Sequence, residues 1–400
     1  MELRGKKLLF VTWDSDQSNY LESLFFPILK GLGERGQVEA HVMQFSWAGP
    51  QEVGRIKALA DSMGIGYVQH PIHRKPTGGL GALWTVYQGV RYIKDYIQGH
   101  GIQVLMPRST MPAMMVNRLW EWLKRVNVEV VFDADGLPLE ERVDFSGLRT
   151  ETFQYRMLKS EETKILKRAD WVLCRSEASI NIHLRNIGEY HRAKFTRVTN
   201  GRDSEMFRPD PVVRAKVRKD LSLGEGDMLW VYTGSLGTPY ELGRMLALFE
   251  GYHSSHPGSK FLLLTRQASY LAGRIPKTLE PAVIVREGGF KDVPSYLSAG
   301  DLGLSLRKFA PSLAGLAPIK LGEYLLMGLP VIASPGVGDT EKLLEGKDFA
   351  FVLKDNGDAA CLEWIEGLRR VDRVGIRQFG LNHFSLENAV AQYLRENMDI

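Results

Sequence analysis

The alternation of short apolar runs with longer amphipathic segments constrains this chain most, and it occurs in both halves of the sequence. Residues 8–13 are an apolar run, residues 38–45 are predicted as the next strand, and residues 21–33 between them have helical spacing and end in a glycine. Apolar runs of this length are typical of strands buried on both faces, and strands separated by helices form parallel sheets. The sequence therefore predicts an α/β fold that opens with a βαβ unit.

The same alternation restarts at residues 229–233, after an extended stretch that contains Pro209 and Pro211. Proline fixes φ and interrupts regular elements, so this stretch is the predicted boundary between two domains. A chain of 400 residues is also too long for one compact core. We expect two Rossmann-like domains facing a cleft, an N-terminal one over residues 1–208 and a C-terminal one over residues 209–384.

Composition excludes several classes of function. The 51 Lys and Arg residues nearly balance the 47 Asp and Glu residues, and no basic block is present, so no nucleic-acid partner is expected. Cys174 and Cys361 are predicted to be buried thiols, which fits a reducing cytoplasm. The first apolar run is too short for a signal peptide, and no run approaches the roughly 20 residues of a membrane span. We expect a cytoplasmic protein, with at most a peripheral contact at the inner face of the membrane.

Residues 312–341 carry the most chemical information. A loop of small residues over 314–318 leads into a predicted helix of about two turns. A helix start offers free amides and the positive end of the helix dipole, which suits a diphosphate. Lys320 adds a cation, and Glu323 lies one turn later, where a carboxylate can accept both hydroxyls of a ribose. The pattern predicts a nucleotide-diphosphate pocket; the alternative is an ordinary exposed ion pair.

Further segments, outside the predicted pocket, resemble those of a known enzyme family. Residues 199–203, followed by Phe207 and Pro209, are similar to an asparagine–glycine turn that ends the first domain of a known enzyme family. Residues 231–236 resemble the glycine-ended first strand of its second domain, and residues 293–301 resemble the helix and turn before its donor loop. In this order, the segments identify the chain as similar to the retaining GT-B glycosyltransferases of family 4, the glycosyl transferases of group 1.

The resemblance implies a nucleotide diphosphate sugar as co-substrate, no further cofactor, and retention of the anomeric configuration. It also implies that residues 385–400 form a C-terminal helix that packs back on the N-terminal domain. Leu386, Val390 and Leu394 lie on one face of this predicted helix, after a Ser385 cap. The predicted acceptor is a glycan, a lipid-linked molecule or a small molecule. A nucleotide-sugar epimerase and a non-catalytic GT-B-like binding protein stay as alternatives.

The sequence departs from the family at two places. Gly315 stands where many members carry a first glutamate that meets the donor sugar, so backbone amides near Gly315 and Leu316 are expected to replace it. Ser235 and Tyr240 stand near the places of a family arginine and lysine. Other cations must then neutralise the diphosphate.

The predicted site residues follow from these observations. We assign catalytic roles to Lys320, to Arg266 after the strand over residues 261–265, and to Asp135 on the acceptor side. Arg307 and Lys308 are further cations, although solvated loop charges are an equal interpretation for both. The predicted donor-binding residues are Gly234, Ser235, Arg307, Gly315, Leu316, Ile319 and Glu323.

Two weaker signals remain. Asp133 and Asp135 form a D-x-D sequence, which binds a metal in another glycosyltransferase fold. Because it follows a strand of the first domain, we expect no metal there, and either an acceptor contact or a turn. Residues 73–75 are basic, and with Trp84 and Tyr87 they could approach a membrane or a lipid-linked acceptor. Helical spacing instead favours Trp84 and Tyr87 as part of a core stripe.

Overall fold

The computed structural model describes residues 2–14, 20–75, 77–368 and 371–396. The described residues form two compact units. Unit 1 contains the chain up to Thr199 together with Ala314–Leu316 and the residues from Ala389 onward, and unit 2 contains Asn200–Leu313 and Ala317–Asn388. The units thus divide after Thr199. The boundary at residues 208–209 stays a prediction.

Unit 1 is built on a sheet in which every pairing is parallel, in the order β3-β2-β1-β4-β5-β6-β7. Its strands are β1 (Lys7–Trp13), β2 (Glu39–Ser46), β3 (Gly66–Pro71), β4 (Val104–Pro107), β5 (Glu129–Asp133), β6 (Trp171–Cys174) and β7 (Phe195–Arg197). Its helices are α1 (Phe26–Gly36), α2 (Pro50–Ser62), α3 (Gly78–His100), α4 (Thr110–Arg125), α5 (Pro138–Ser146), α6 (Phe153–Arg168) and α7 (Glu177–Ile187).

Unit 2 repeats this plan with a parallel sheet in the order β10-β9-β8-β11-β12-β13. Its strands are β8 (Leu229–Thr233), β9 (Lys260–Leu264), β10 (Val283–Arg286), β11 (Leu302–Ser305), β12 (Val331–Ala333) and β13 (Ala350–Val352). The helices are α8 (Pro211–Asp220), α9 (Leu242–Ser255), α10 (Val293–Ala299), α11 (Ile319–Leu326), α12 (Thr340–Leu344), α13 (Asp358–Gly367), α14 (Arg373–Phe384) and α15 (Leu386–Tyr393), whose last residues belong to unit 1.

Both sheets have the Rossmann order, which confirms the predicted α/β fold with two Rossmann-like units. The central strands are buried because helices cover both faces of each sheet, and every residue of β8 is buried. In each sheet the strand order reverses once, between β1 and β4 in unit 1 and between β8 and β11 in unit 2. Folds of this class bind ligands at the carboxyl ends of the strands that flank this reversal.

The first helix differs from its prediction. A π-helical turn over Leu21–Phe25 precedes α1, and α1 continues past Gly33 to Gly36. Gln37, with φ of 53°, takes the left-handed conformation that ends the helix. The glycine at position 33 therefore lies inside the helix, and the predicted end at that residue was wrong.

The last helix begins in unit 2 and belongs to unit 1 from Ala389 onward, so the predicted return of this helix to the first unit is confirmed for its second half. Residues 397–400 of the predicted helix lie outside the described residues. Ser385 caps α15, because its Oγ accepts a hydrogen bond of 3.2 Å from the Asn388 backbone nitrogen. Val390 lies directly against Gly31 of α1, where a built Cβ would be 2.5 Å from Val390 Cγ2. The apolar face of the helix is thereby covered. Among the described residues, no helix combines the length and the apolar character needed to cross a membrane.

Candidate functional site

The strand reversal in unit 2 is flanked by residues that the sequence predicts as donor ligands. Gly234 directly follows β8, and Arg307 lies just beyond β11. Gly234 has φ of 115°, and a Cβ built on it would lie 3.4 Å from the Nζ of Lys320. Glycine is favoured there because this backbone conformation strains other residues, and the Lys320 nitrogen lies in ordinary contact distance of the position.

Lys320 places its side-chain nitrogen against two aromatic rings. Its Nζ lies 3.9 Å from the ring centroid of Tyr232 and 4.7 Å from that of Tyr240. Within the described part of the chain, this buried nitrogen has no hydrogen-bond partner. Burial, together with the positive charge of Arg307, lowers the pKa of Lys320 well below its ordinary value. The site thus holds a buried donor that an incoming anion would satisfy.

Tyr240 joins Lys320 to a second cation. The guanidinium of Arg307 lies 4.9 Å from the Tyr240 ring centroid, and its Nη2 donates a weak hydrogen bond of 3.4 Å to the phenol oxygen. The Arg307 backbone is fixed as well, because its nitrogen donates to Ser334 Oγ at 2.8 Å. An aromatic face attracts cations, so Tyr240 holds both positive groups near each other. Lys308, in contrast, is exposed.

Tyr324 attaches α11 to the strand reversal. Its hydroxyl accepts a hydrogen bond of 3.0 Å from the Thr233 backbone nitrogen and lies 3.3 Å from the Leu304 carbonyl, to which it donates. These bonds connect α11 to the carboxyl ends of β8 and β11. The first amides of the helix, those of Ile319 and Lys320, have no acceptor within the helix. Pro318 precedes them and offers no N–H.

Glu323 is buried, and its partner is Arg202. Arg202 Nε lies 3.0 Å from Glu323 Oε1, and both side chains are less than a tenth exposed. Burial raises the pKa of Glu323, and the Arg202 charge opposes that rise. The alternative of an exposed pair between Lys320 and Glu323 is therefore wrong. Sequence reasoning missed Arg202, although a charged residue inside the asparagine–glycine turn could have indicated it.

The other predicted donor ligands of unit 2 are more exposed. Ser235 lies at the surface after β8, and its carbonyl accepts a hydrogen bond from the Tyr232 hydroxyl. Arg266 is exposed at the carboxyl end of β9, the strand beside β8. The donor-binding role of Ser235 and the catalytic role of Arg266 stay predictions. Arg307 is the cation that the structure brings to Lys320.

Gly315 and Leu316 belong to unit 1. A Cβ built on Gly315 would lie 2.6 Å from the Leu137 backbone nitrogen, and one built on Gly136 would lie 2.6 Å from the Gly315 carbonyl oxygen. The two backbone segments therefore approach too closely for a side chain at either glycine. This contact gives a physical reason why residue 315 does not carry the glutamate found in many family members.

The D-x-D aspartates of unit 1 are paired with two arginines that sequence reasoning missed. Arg175 Nη2 donates to Asp133 Oδ2 at 2.7 Å, and Arg108 Nη2 donates to Asp135 Oδ2 at 2.5 Å. Arg108 also lies 3.8 Å from Asp14. The arginines follow β4 and β6, so the signal that could have found them is a charged residue directly after an apolar strand.

Burial dominates the electrostatics of Asp133. The Asp133 carboxylate is fully buried, and this burial raises its pKa despite the charge of Arg175. Burial would lower the pKa of Arg108, but the carboxylates of Asp135 and Asp133 outweigh it and raise that pKa. The Asp135 side chain stays 28% exposed, which leaves it accessible to a hydroxyl. Among the described residues, no group of three or more histidine, cysteine, aspartate or glutamate residues is arranged to hold a metal.

Comparisons with known proteins address the fold and the resemblance. No family model matches the chain. The chain is 25% identical over 248 residues to the putative teichuronic acid biosynthesis glycosyltransferase TuaH of Bacillus subtilis, a match that spans 60% of this chain and 58% of the relative's length. The predicted resemblance to glycosyltransferases is thus confirmed in sequence.

Solved structures extend the likeness to nearly the whole chain. HepE of Anabaena in complex with UDP superimposes with a TM-score of 0.70 at 16% identity and covers 96% of this chain and 98% of that one. A glycosyltransferase from Rickettsia africae superimposes with a TM-score of 0.70 at 14% identity and covers 98% and 97%. The fold is therefore GT-B, as predicted.

Proposed function

We propose that this GT-B chain is a group 1 glycosyltransferase that moves a sugar from a nucleotide diphosphate sugar to an acceptor hydroxyl with retention of configuration. In this proposal Lys320 and Arg307 hold the donor diphosphate, and the amides of Ile319 and Lys320 complete the anion site. The donor is a co-substrate, and we propose no further cofactor.

The observation that carries the proposal is the buried side-chain nitrogen of Lys320. It lies at the start of α11, beside the strand reversal, and is satisfied by no hydrogen-bond acceptor in the described structure. A diphosphate would supply that acceptor and would also interact favourably with the amides of the helix start. Arg307, which shares the Tyr240 ring with Lys320, adds a second positive charge at the same place.

The proposed chemistry follows from this charge. When the bond between sugar and diphosphate breaks, negative charge grows on the leaving phosphate oxygen, and positive charge grows on the anomeric carbon. Groups already oriented toward the leaving oxygen stabilise this transition state without reorganisation. Lys320 and Arg307 are such groups, because Tyr232, Tyr240 and Ser334 fix their positions. Arg266 is proposed as a more mobile third cation.

Glu323 is proposed to bind the donor ribose. A carboxylate accepts two hydroxyl hydrogen bonds, and Arg202 Nε, which lies 3.0 Å away, favours the ionised form that this role needs. Arg202 is then a positioning residue, since it acts on the ribose through Glu323. Because HepE was solved with UDP, UDP is the first nucleotide to test. Gly234 and Ser235 are proposed as donor contacts of unit 2, and the donor contacts of Gly315 and Leu316 stay predictions from the sequence.

The acceptor side is proposed to involve Asp135. Its carboxylate is paired with Arg108 but remains partly exposed, so it can still accept a hydrogen bond from a sugar hydroxyl. The acceptor is proposed to be a glycan, a lipid-linked molecule or a small molecule. Exchange of Asp135 for Asn should reduce transfer while leaving nucleotide binding unchanged. A loss of nucleotide affinity would contradict the acceptor role.

Calorimetric titration with UDP, GDP, ADP and dTDP tests the donor site. We expect one nucleotide diphosphate to bind in the wild type and to bind at least about ten-fold more weakly in Arg307→Gln, the loss of one charge-assisted contact. Lys277→Gln is the matched control, because it removes an exposed cation from the same unit. If none of the four binds, or if both variants bind as the wild type does, the donor assignment fails.

Transfer itself is tested with the corresponding nucleotide sugars. Incubation with the donor alone should leave the sugar unchanged, whereas an epimerase would convert it. With an acceptor present, NMR of the new linkage should give the anomeric configuration of the donor. An inverted product would contradict retention. Binding of the nucleotide without any transfer, across glycan and lipid-linked acceptors, would favour the non-catalytic alternative.

A further inference from the structure

The first turns of α3 expose large apolar side chains to solvent. Leu80, Leu83, Trp84 and Tyr87 are 56%, 39%, 52% and 70% exposed, and the rings of Trp84 and Tyr87 stack with centroids 5.8 Å apart. Their spacing places them on one side of the helix. The predicted core stripe is therefore wrong for Trp84 and Tyr87. Trp84 and Tyr87 share one face of α3, as the spacing predicts, but that face points to solvent.

The opposite face of α3 explains this orientation. That face carries small residues, and the helix lies so close to neighbouring segments there that larger side chains would not fit. A Cβ built on Gly81 would lie 2.3 Å from the His73 carbonyl oxygen, and one built on Gly89 would lie 2.5 Å from the Met115 sulfur. Thr85 is also buried on this face. Rotation of α3 to bury the aromatic side chains would drive them into these contacts. Their exposure is thus fixed by packing.

Positive charge lies next to these apolar side chains along the chain. His73, Arg74 and Lys75 are exposed in the segment that leads into α3, and the first turn of α3 contains no acidic residue. The guanidinium of Arg74 lies 4.2 Å from the Trp47 ring centroid, which holds it at the surface. Further along α3 the exposed face becomes charged, with an ion pair between Arg91 and Asp95. The apolar surface is therefore confined to the start of the helix.

We propose that this surface, which we call the α3 patch (Leu80, Leu83, Trp84, Tyr87, Arg74 and Lys75), docks on an anionic lipid bilayer. Tryptophan and tyrosine partition into the headgroup region, leucine reaches the acyl boundary, and basic side chains are attracted to anionic headgroups. A second copy of the chain fits less well, because it would bring two basic segments together. The proposal does not depend on the proposed transferase activity.

Vesicle flotation tests the proposal. The full chain is mixed with vesicles of phosphatidylcholine alone or of phosphatidylcholine with phosphatidylglycerol, in the absence of nucleotide. We expect binding to the anionic vesicles, and about a ten-fold or greater loss of binding in Trp84→Ser/Tyr87→Ser. Arg74→Gln/Lys75→Gln should lose the preference for phosphatidylglycerol, and added salt should weaken wild-type binding. All substituted side chains are exposed, so circular dichroism and melting should be unchanged.

The matched control is Phe153→Ser/Tyr190→Ser, which removes two aromatic side chains that are 81% and 80% exposed elsewhere on unit 1. It should bind vesicles as the wild type does. Brominated lipids should quench tryptophan fluorescence in the wild type and less so in Trp84→Phe.

Three results would overturn the proposal. The first is an absence of wild-type binding to the anionic vesicles, and the second is an equal loss of binding in the control variant. The third is self-association in light scattering that Trp84→Ser/Tyr87→Ser abolishes without any change in vesicle binding, which would assign the α3 patch to a second copy. Nucleotide titration of the same variants keeps this test separate from the donor site.

Discussion

Exchange of Lys320 for methionine should weaken donor binding without destabilising the protein. Methionine keeps much of the side-chain length but removes the nitrogen that lies against Tyr232 and Tyr240. The diphosphate would lose one charge-assisted contact, worth about 1.5–3 kcal/mol, which corresponds to a roughly ten- to 150-fold weaker donor affinity.

The stability of the protein should not fall with the affinity, because Lys320 makes no hydrogen bond within the described structure. In the described structure the buried Lys320 nitrogen has no hydrogen-bond partner, and an unsatisfied buried donor costs about 1–3 kcal/mol. Cation–π attraction offsets part of this cost, at up to about 2 kcal/mol for a desolvated contact. That offset is reduced because burial lowers the pKa of Lys320 and so favours the neutral amine. We expect the free energy of unfolding to be unchanged or higher by about 1–2 kcal/mol.

Two measurements on one preparation check this prediction. Urea unfolding gives the stability of the chain relative to the wild type, and calorimetric titration gives the affinity for the nucleotide diphosphate, with Lys277→Met as the exposed control. The reasoning would be refuted by a variant that loses more than about 1 kcal/mol of stability, since Lys320 would then be a structural residue. It would also be refuted by a donor affinity equal to that of the wild type.

Four further predictions follow. Glu323→Gln should lower donor turnover at least about ten-fold in steady-state kinetics, and because it breaks a buried ion pair it should also cost about 3 kcal/mol in urea unfolding; wild-type values would contradict both parts. Nucleotide affinity should fall as pH rises, by up to about ten-fold per pH unit, because the pKa of Lys320 is lowered in the free protein and a bound diphosphate should raise it again. Calorimetry in buffers of different ionisation enthalpy should therefore show that the protein takes up a proton when the nucleotide binds. Asp301→Asn should lower the free energy of unfolding by about 3–5 kcal/mol and leave nucleotide binding unchanged, because Asp301 accepts hydrogen bonds from Arg214, Arg218 and Arg373. Burial would raise the pKa of Asp301, but these arginines outweigh it and lower that pKa. The stability that Asp301 contributes is therefore present above its unfolded-state pKa and is lost as the pH falls through its folded-state pKa. Transfer should proceed in excess EDTA, since Lys320 and Arg307 would supply the positive charge in the proposed donor site and Arg108 and Arg175 already pair with Asp135 and Asp133; activity that returns only with Mn²⁺ or Mg²⁺ would contradict this.

Local pattern was sufficient to predict the architecture and the start of α11. Each βαβ segment carries its own signal in apolar runs and turn residues, so the two Rossmann-like units follow from neighbouring residues alone. The helix start at Ile319 and the place of Lys320 follow from the small-residue loop before them. Such features depend on spacing along the chain, which a sequence displays directly.

Features that depend on distant partners could not be predicted in the same way. The pairing of Arg202 with Glu323 joins residues far apart in sequence, and spacing alone made Lys320 the apparent partner. Helical periodicity predicted that Trp84 and Tyr87 share a face, but not whether that face points inward. Only the close approach of Gly81 and Gly89 to their neighbours decides this, and that approach is a property of the assembled unit.

The short bridge between Arg202 and Ser385 makes the C-terminal segment part of the electrostatic frame of unit 2. The Arg202 backbone nitrogen donates to the Phe384 carbonyl at 2.9 Å, and its carbonyl accepts from the Leu386 nitrogen at 2.8 Å. The guanidinium that faces Glu323 is thus anchored by residues at the end of α14 and the start of α15. A substitution that displaces Ser385 would consequently move Arg202 and weaken its ion pair with Glu323, although no residue of α11 had been changed. Selection on this remote junction and selection on the nucleotide pocket would then be difficult to separate.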